Sequence, residues 1–261
     1  MVSPLTLTLA SWNVNSIRTR LDHLLSYLES THPDVMGLQE TKVNAASFPQ
    51  QPIEEAGYRV QHVGGGAYNG VALLSRERLE AVCCALPGDE QTPRFISAFT
   101  CGMQVINVYA PNGQSMDSPK FEYKMRWFEQ LRCHLQHLDP TTPTVVMGDF
   151  NVAPSDLDVH DPQVWHERLL CSTPERQALQ AILALGYQDT FRLHHPQERQ
   201  FSWWDYRQGA FRRNLGLRID LILANEAALT SCIAGAIDKT PRTWERPSDH
   251  TPVLATFALP A

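Results

Sequence analysis

The segment Thr144-Val145-Val146-Met147-Gly148-Asp149-Phe150-Asn151 carries the strongest structural signal in this chain. Its first four residues form a short, mostly apolar and β-branched run that predicts a buried strand. Gly148 would let another backbone segment approach closely, and Asp149 follows directly. Asn151 comes two positions later, so the two polar side chains can point the same way and share one site. Because desolvating a carboxylate is expensive unless it is paired or bound to a cation, this strand ending requires a chemical explanation.

Four other apolar runs end in polar residues of the same kind. They are Ser11-Trp12-Asn13, Leu38-Gln39-Glu40-Thr41, Arg218-Ile219-Asp220 and Ser248-Asp249-His250. One arrangement explains all five endings: they meet at one edge of a sheet and hold a divalent metal beside a phosphate. Carboxylate and amide oxygens are the ligands that Mg²⁺ or Mn²⁺ prefers. The candidate oxygen ligands are Asn13, Glu40, Asp149, Asn151 and Asp249.

Strands and helices are mixed along the whole chain. Alternating leucines and threonines predict a first strand that runs into Asn13, and apolar residues at helical spacing then predict a helix over residues 17–28. Further helices are predicted at 121–138 and from Ser172 to Gly186. Further strands are predicted at 35–38, 58–63, 70–75, 95–100, 103–109, 219–224 and 253–257. Hairpins beside crossovers favour an α/β fold of two packed, mixed β-sheets flanked by helices, in a single domain over residues 1–261.

The composition is that of an ordinary globular protein, with 261 residues of which 43% are hydrophobic. No apolar stretch approaches the ~20 residues that a membrane span needs. The opening Met1-Val2-Ser3-Pro4 does not resemble a secretory signal. We therefore expect a cytoplasmic, intracellular protein without a membrane partner, associated with the nucleoid if the source is bacterial. A monomer is expected because no exposed apolar heptad or repeat calls for assembly.

The six cysteines show no C-x-x-C spacing and suggest neither zinc nor a disulfide framework. Reduced, mostly buried thiols are expected at Cys83, Cys84, Cys101, Cys133, Cys171 and Cys232.

The formal net charge of −6 argues against a protein that coats nucleic acid through bulk positive charge. It does not exclude a nuclease, because acidic metal ligands lower the count and local arginines can bind phosphates. The candidate arginines are Arg18 with Arg20, and Arg207, Arg212, Arg213 and Arg218. The aromatic run at 201–206 lies next to the second group, an arrangement that suits either core packing or stacking on bases and sugars.

Asp220 lies in an otherwise apolar strand, where a buried aspartate needs a partner. A histidine nitrogen is a natural one, so Asp220 could fix the tautomer of His250. Protonated His250 could then stabilise phosphoryl oxygens, which leaves Asp149 to orient or deprotonate water. Tyr109 ends another predicted strand, and its hydroxyl could reach the phosphate from the opposite side.

Together these segments resemble the exonuclease III and apurinic/apyrimidinic (AP) endonuclease family. The matching motifs run in order over nearly the whole chain. They are Asn13-Val14-Asn15-Ser16, Leu38-Gln39-Glu40-Thr41-Lys42, Tyr68-Asn69-Gly70-Val71-Ala72, Gly148-Asp149-Phe150-Asn151, Gly216-Leu217-Arg218-Ile219-Asp220 and Ser248-Asp249-His250. The resemblance implies a deoxyribonuclease I-like, four-layered α/β sandwich. It implies a Mg²⁺-dependent (or Mn²⁺-dependent) repair enzyme for double-stranded DNA, with 3′→5′ exonuclease activity, incision 5′ to abasic sites, or both, and 3′-end cleaning.

The resemblance also implies roles for individual residues. The catalytic set is Tyr109, Asp149, Asn151, Asp220, Asp249 and His250. The metal set is Asn13, Glu40, Asp149, Asn151, Asp249 and His250. Substrate binding is expected at Arg18, Lys42, Asn112, Trp203, Arg212, Leu217 and Ile219. Three of these, Trp203, Leu217 and Ile219, fall where the family builds a pocket for a flipped-out abasic sugar.

Two positions depart from the family pattern. Asn15 stands where some relatives carry an aspartate, which weakens the case for a second metal. Leu170 falls near a position that is small in several relatives active at internal abasic sites, so a bulky side chain there could favour trimming of 3′ ends. Two other functions compete with the leading one: a non-catalytic nucleic-acid-binding relative, and a phosphatase or phosphodiesterase for a small or lipid-linked phosphate. Intact candidate ligands disfavour the first, and the arginine-aromatic loop disfavours the second.

Overall fold

A computed structural model describes residues 5–259. The opening Met1-Val2-Ser3-Pro4, on which the expectation of no secretory signal rested, lies outside them. The strands are β1 Thr6–Asn13, β2 Val35–Gln39, β3 Arg59–Val63, β4 Val71–Ser75, β5 Glu80–Cys83, β6 Phe95–Thr100, β7 Met103–Tyr109, β8 Thr144–Asp149, β9 Tyr187–Asp189, β10 Asp220–Asn225, β11 Cys232–Ile237 and β12 Val253–Ala258. The α-helices are α1 Ile17–Thr31, α2 Gln50–Glu55, α3 Pro119–Gln136, α4 Pro162–Trp165, α5 Thr173–Leu183, α6 Thr190–His194 and α7 Glu226–Leu229. Within this described part of the chain, no helix has the length and apolar character that a membrane crossing would require.

The strands form two six-stranded sheets. The first has the order β11-β12-β1-β2-β4-β3, and the second has the order β5-β6-β7-β8-β10-β9. Each contains one parallel pair, β1 with β2 and β7 with β8, while the other pairs are antiparallel. The prediction of two mixed sheets is therefore confirmed.

The two sheets pack face to face, and helices cover their outer faces. Leu7 and Leu9 of β1 point inward and belong to the same buried cluster as Val145 and Met147 of β8. On the opposite face of β1, Trp12 packs with residues of α1. The outer face of the second sheet packs against α3 and α5. This is the four-layered α/β sandwich that the resemblance implies, and it explains why apolar side chains lie on both faces of the central strands.

Short edge elements were not predicted. β5 is exposed along its whole length, and β9 has only three residues, so neither carries the apolar alternation that marks a strand. The expectation of mostly buried thiols is also wrong. Cys83 and Cys84 are exposed on or beside the edge strand β5, and only Cys171 is buried.

Candidate active site

Several polar strand ends meet at one edge of the sandwich. In the first sheet Asn13 pairs with Gln39, which places Glu40 beside the end of β1. In the second sheet Asp149 of β8 pairs with Asp220 of β10. The Asn13 amide bridges the sheets, because its Nδ2 lies 2.9 Å from Glu40 Oε1 and 2.9 Å from Asp149 Oδ2. The strand endings expected to converge do so.

The backbone at these strand ends takes conformations that need support from their surroundings. Gly148 has a φ of 148°, and a Cβ atom there would lie 1.9 Å from the carbonyl oxygen of Val108. Only glycine therefore fits before Asp149. Glu40 and Asn151 both adopt left-handed conformations, with φ values of 52° and 50°. Such conformations in non-glycine residues cluster at functional sites.

Ligand atoms of Glu40, Asp149 and His250 all lie within 4.8 Å of one another. As a metal ligand, Asn13 was expected to present its amide oxygen to this cluster. In the structure that oxygen points elsewhere. Its Oδ1 accepts the backbone N–H of Asn15 at 3.0 Å, so Nδ2 must face the carboxylates. The Asn151 oxygen likewise accepts a hydrogen bond from Asn112 at 3.1 Å. In this structure both amides surround the acidic cluster as hydrogen-bonding partners.

His250 is held between two buried aspartates. Its Nδ1 lies 2.9 Å from Asp220 Oδ2, and its Nε2 lies 3.8 Å from Asp149 Oδ2. Ser202 fixes Asp220 by donating from Oγ at 2.6 Å. Burial would lower the pKa of His250, but Asp220 and Asp149 raise it to about 10. Burial raises the pKa of Asp149 to about 7, although His250 opposes the shift.

The His250 contacts predict how the stability of the metal-free protein depends on pH. The folded state keeps a proton on His250 up to about pH 10, whereas the unfolded state releases it near 6.5. The stabilisation is therefore complete below about pH 6.5 and is lost as the pH rises toward 10. Urea unfolding in EDTA should show this loss, and Asp220→Asn should flatten it. Equal pH slopes for the two proteins would contradict the assignment.

Tyr109 ends β7 next to Asp149 and is 9% exposed. The Arg94 guanidinium lies over its ring, 4.5 Å from the centroid. Burial, together with the carboxylates of Glu40 and Asp149, raises the pKa of Tyr109 above its usual range. The phenol therefore stays neutral and can donate a hydrogen bond to an anion.

Asp249 lies at the rim of the cluster. Its Oδ1 accepts from Asn15 Nδ2 at 2.9 Å, and its Oδ2 accepts from the Trp203 indole at 3.0 Å. Against the effect of burial, His250 and these hydrogen bonds lower the pKa of Asp249. Lys42 connects Asn15 to Glu40. Its Nζ lies 2.5 Å from Asn15 Oδ1 and 2.7 Å from Glu40 Oε2. Lys42 thus contacts protein carboxylate and amide groups.

The arginines divide into two kinds. Arg18 and Arg212 are exposed, as a phosphate-binding role requires. Arg218 is 1% exposed and pairs with Asp158 and Asp189, so its expected place in a phosphate-binding group is wrong. Arg20 is likewise engaged within the protein, with Asn15, Tyr206 and Pro247 as partners. Sequence proximity alone did not distinguish surface cations from buried ones.

The expected sugar-pocket residues lie side by side. Leu217 and Ile219 are buried in one cluster with Leu170, and the partly buried Trp203 packs against it. In this structure Trp203 packs against the cluster that contains the two aliphatic side chains, while its indole nitrogen donates to Asp249. Of the three, Trp203 is the side chain with an exposed surface.

Some supporting residues were missed by sequence reasoning. Ser202 fixes Asp220, and Ser248 Oγ donates to the Asn13 carbonyl at 2.7 Å. Arg242 is buried and lies over the rings of Trp204 and Tyr206. Both serines lie within segments already singled out from the sequence, Ser248-Asp249-His250 and the aromatic run at 201–206, but no role was assigned to them there.

The donor set fits a hard divalent cation. Glu40 and Asp149 share one neutral amide donor, and the acidic side chains of the site outnumber its cationic ones, Lys42 and His250. Two carboxylates so close together repel each other unless positive charge is added.

Known proteins resemble this chain over almost its whole length. A model described as the Endonuclease/Exonuclease/phosphatase family matches residues 10–250. Exodeoxyribonuclease III of Haemophilus influenzae is 37% identical over 262 residues, covering 95% of this chain and 98% of that protein. The structure of the 3′ phosphatase NExo from Neisseria, bound to a product DNA hairpin, has a TM-score of 0.92 at 40% identity, covering 97% of this chain and 100% of that one. The structure of an AP endonuclease from Archaeoglobus fulgidus has a TM-score of 0.93 at 40% identity, with the same coverage.

Proposed function

We propose a specific reaction for this chain from the premise that it belongs to the endonuclease/exonuclease/phosphatase family. The protein is a hydrolase of the DNA-repair nuclease type. Its proposed reactions are Mg²⁺- or Mn²⁺-dependent 3′→5′ exonuclease cleavage, incision 5′ to abasic sites, and removal of 3′ phosphates from duplex DNA. The observation that carries the proposal is the cluster of partly buried Glu40 with buried Asp149 and His250 at the sheet edge.

A phosphodiester resists cleavage because its anionic oxygens repel nucleophiles and its leaving alkoxide is poor. Glu40 and Asp149 would hold the cation, with Asp249 and the amides of Asn13 and Asn151 around it. When bound, the cation supplies positive charge that offsets the phosphate oxygens. Asp149 also orients the attacking water and takes its proton.

The remaining roles follow from charge and hydrogen bonding. Protonated His250, held by Asp220, stabilises the negative charge that grows on the phosphoryl oxygens. Neutral Tyr109 donates to the phosphate from the β7 side. Exposed Arg18 and Arg212 contact the DNA backbone, with Lys42 and Asn112 at the edge of the cluster. Trp203 packs against the abasic sugar.

Three substrates separate this function from its alternatives. An abasic duplex, an intact duplex with a recessed 3′ end and an inositol phosphate should each be incubated with Mg²⁺ or with EDTA. We expect hydrolysis of the DNA substrates in Mg²⁺ only. Binding of DNA without hydrolysis under any divalent ion would favour a non-catalytic relative, and hydrolysis of inositol phosphate alone would favour a small-molecule phosphatase.

Leu170 offers a test of the balance between the two nuclease activities. It has a left-handed φ of 73° and is buried beside Leu217 and Ile219, under the proposed sugar-binding surface. Leu170→Gly should raise incision at internal abasic sites relative to exonuclease activity, because the bulky side chain is lost. Leu170→Ala separates bulk from backbone strain: if only the glycine variant changes the ratio, relief of the left-handed conformation is the cause. An unchanged ratio in both variants would contradict the crowding hypothesis.

We further propose that the chain forms a single domain and works as a monomer in the cytoplasm, where its DNA substrate would lie. Light scattering of the purified protein, alone and with an abasic duplex, measures the oligomeric state directly. A stable dimer under both conditions would contradict this part of the proposal.

A further inference from the structure

A buried ion pair lies beneath the loops that carry the active site, and no role assigned so far uses it. Lys124 of α3 and Glu175 of α5 have fully buried side chains, and Lys124 Nζ lies 2.5 Å from Glu175 Oε1. Taking two charges out of water costs several kcal/mol per ion, which their mutual attraction does not reliably repay. The pair is therefore weak evidence for stability and calls for another explanation.

The remaining contacts of Lys124 point to that explanation. Its ammonium group also donates to the backbone carbonyl of Asn151 at 2.7 Å and to that of Asn112 at 3.1 Å. An ammonium group has three donors, so all of them are used. One carbonyl belongs to the loop after β8 and the other to the loop after β7. Lys124 thus connects two loops that flank the acidic cluster.

The Asn151 loop needs such support because of its conformation. Asn151 has a φ of 50°, which costs free energy unless the surroundings hold it. In this conformation its N–H donates to Asp149 Oδ1 at 2.9 Å, and its side chain donates to the Ala110 carbonyl at 3.0 Å. The Asn151 backbone therefore helps to orient the Asp149 carboxylate.

Glu175 connects the pair to a third loop. Its Oε1 accepts the N–H of Leu170 at 3.0 Å, and its Oε2 accepts both the N–H and the hydroxyl of Ser172. These contacts cap the start of α5 and hold the loop on which Leu170 lies.

We propose that Lys124 is a positioning residue for DNA hydrolysis: the hydrogen bonds that its ammonium donates to the Asn151 and Asn112 carbonyls fix the two loops so that Asp149 faces the attacking water. The inference rests on the proposed function. It differs from a purely structural role, in which the pair would matter only for folding.

A neutral double variant separates the two roles. Lys124→Met with Glu175→Gln removes both charges together, and the glutamine keeps one carbonyl acceptor for either the Leu170 or the Ser172 N–H, which bond to different oxygens of Glu175. The donors to the Asn112 and Asn151 carbonyls are lost. The matched control is Arg132→Met with Glu129→Gln, which removes a solvent-accessible pair on the same helix, with side chains 27% and 60% exposed.

We expect the Lys124/Glu175 double variant to lower kcat on an abasic duplex by on the order of 100-fold, the effect of a small misplacement of catalytic groups. KM, and the Kd for the same duplex in EDTA, should stay within about twofold at a temperature below the melting point of every variant. The control should keep the parental kcat. A double variant that folds and keeps kcat within about threefold of the parent would overturn the inference. A parent that hydrolyses no DNA would instead overturn the proposed function.

Glu175→Gln alone tests the inference if the double variant does not fold. Lys124 can still donate to both carbonyls in this variant, so kcat should fall by no more than about fivefold. A loss as large as about 100-fold would show that the charged pair, and not the donors to the Asn112 and Asn151 loops, controls the rate, and would overturn the inference.

Discussion

Asp149→Asn should lower kcat for DNA hydrolysis by on the order of 10³-fold, because it removes both a proposed cation ligand and the group that accepts the proton from water. Asparagine keeps the size of the side chain and an oxygen that can accept from the Asn13 amide. DNA binding in EDTA should therefore remain. The free energy of unfolding should stay the same or rise, since burial already disfavours the charged form of Asp149.

Single-turnover cleavage of an abasic duplex measures this effect without interference from product release. Asp139→Asn is a matched control, because Asp139 lies in the exposed turn before β8, at the opposite end of the same strand. It should leave kcat unchanged. If Asp149→Asn kept most of the parental rate, another group would have to activate the water.

Arg218→Met should destabilise the protein by about 3–5 kcal/mol, the usual cost of removing one partner from a buried ion pair. Arg218 Nε lies 2.6 Å from Asp158 Oδ1, and its Nη1 lies 2.6 Å from Asp189 Oδ2. Against the effect of burial, Arg218 lowers the pKa of Asp158. Without the guanidinium, two largely desolvated carboxylates would face each other with only Arg192 nearby.

For Arg212→Met we expect a loss of DNA binding with almost no loss of stability. Arg212 is exposed, so its loss should change the free energy of unfolding by less than about 0.5 kcal/mol. As a phosphate contact, it should weaken DNA binding and make log K less dependent on log salt by about one unit. Urea unfolding and salt titrations of DNA binding, carried out on both variants, test the two predictions. A small stability loss for Arg218→Met would show that the buried pairing is dispensable.

The polar residues at strand ends were the most predictable part of the site. Glu40, Asp149 and Asp220 each follow or interrupt an apolar run, where a charge is costly without a partner. This energetic cost can be recognised from the sequence alone. Their convergence could be predicted because strands packed in two layers bring their ends to common edges.

What could not be predicted depends on contacts between distant segments. Lys124 occurs on a helix whose neighbouring charged residues are exposed, and it is buried because the Asn112 and Asn151 loops and Glu175 of α5 close over it. The orientation of the Asn13 amide is set by the backbone N–H of Asn15. Arg218 lies among arginines that face solvent, and only Asp158 and Asp189 identify it as internal.

The pairing of β1 with β12 ties catalytic competence to the synthesis of β12. Ser248 donates to the carbonyl of Asn13 across a separation of 235 residues, and His250 follows just beyond. A nascent chain that has made Asn13, Glu40 and Asp149 but has not yet released β12 from the ribosome has neither the imidazole nor the strand that flanks β1. Such a translation intermediate should be inert toward DNA, so the nuclease would become active only after β12 has left the ribosome and paired with β1.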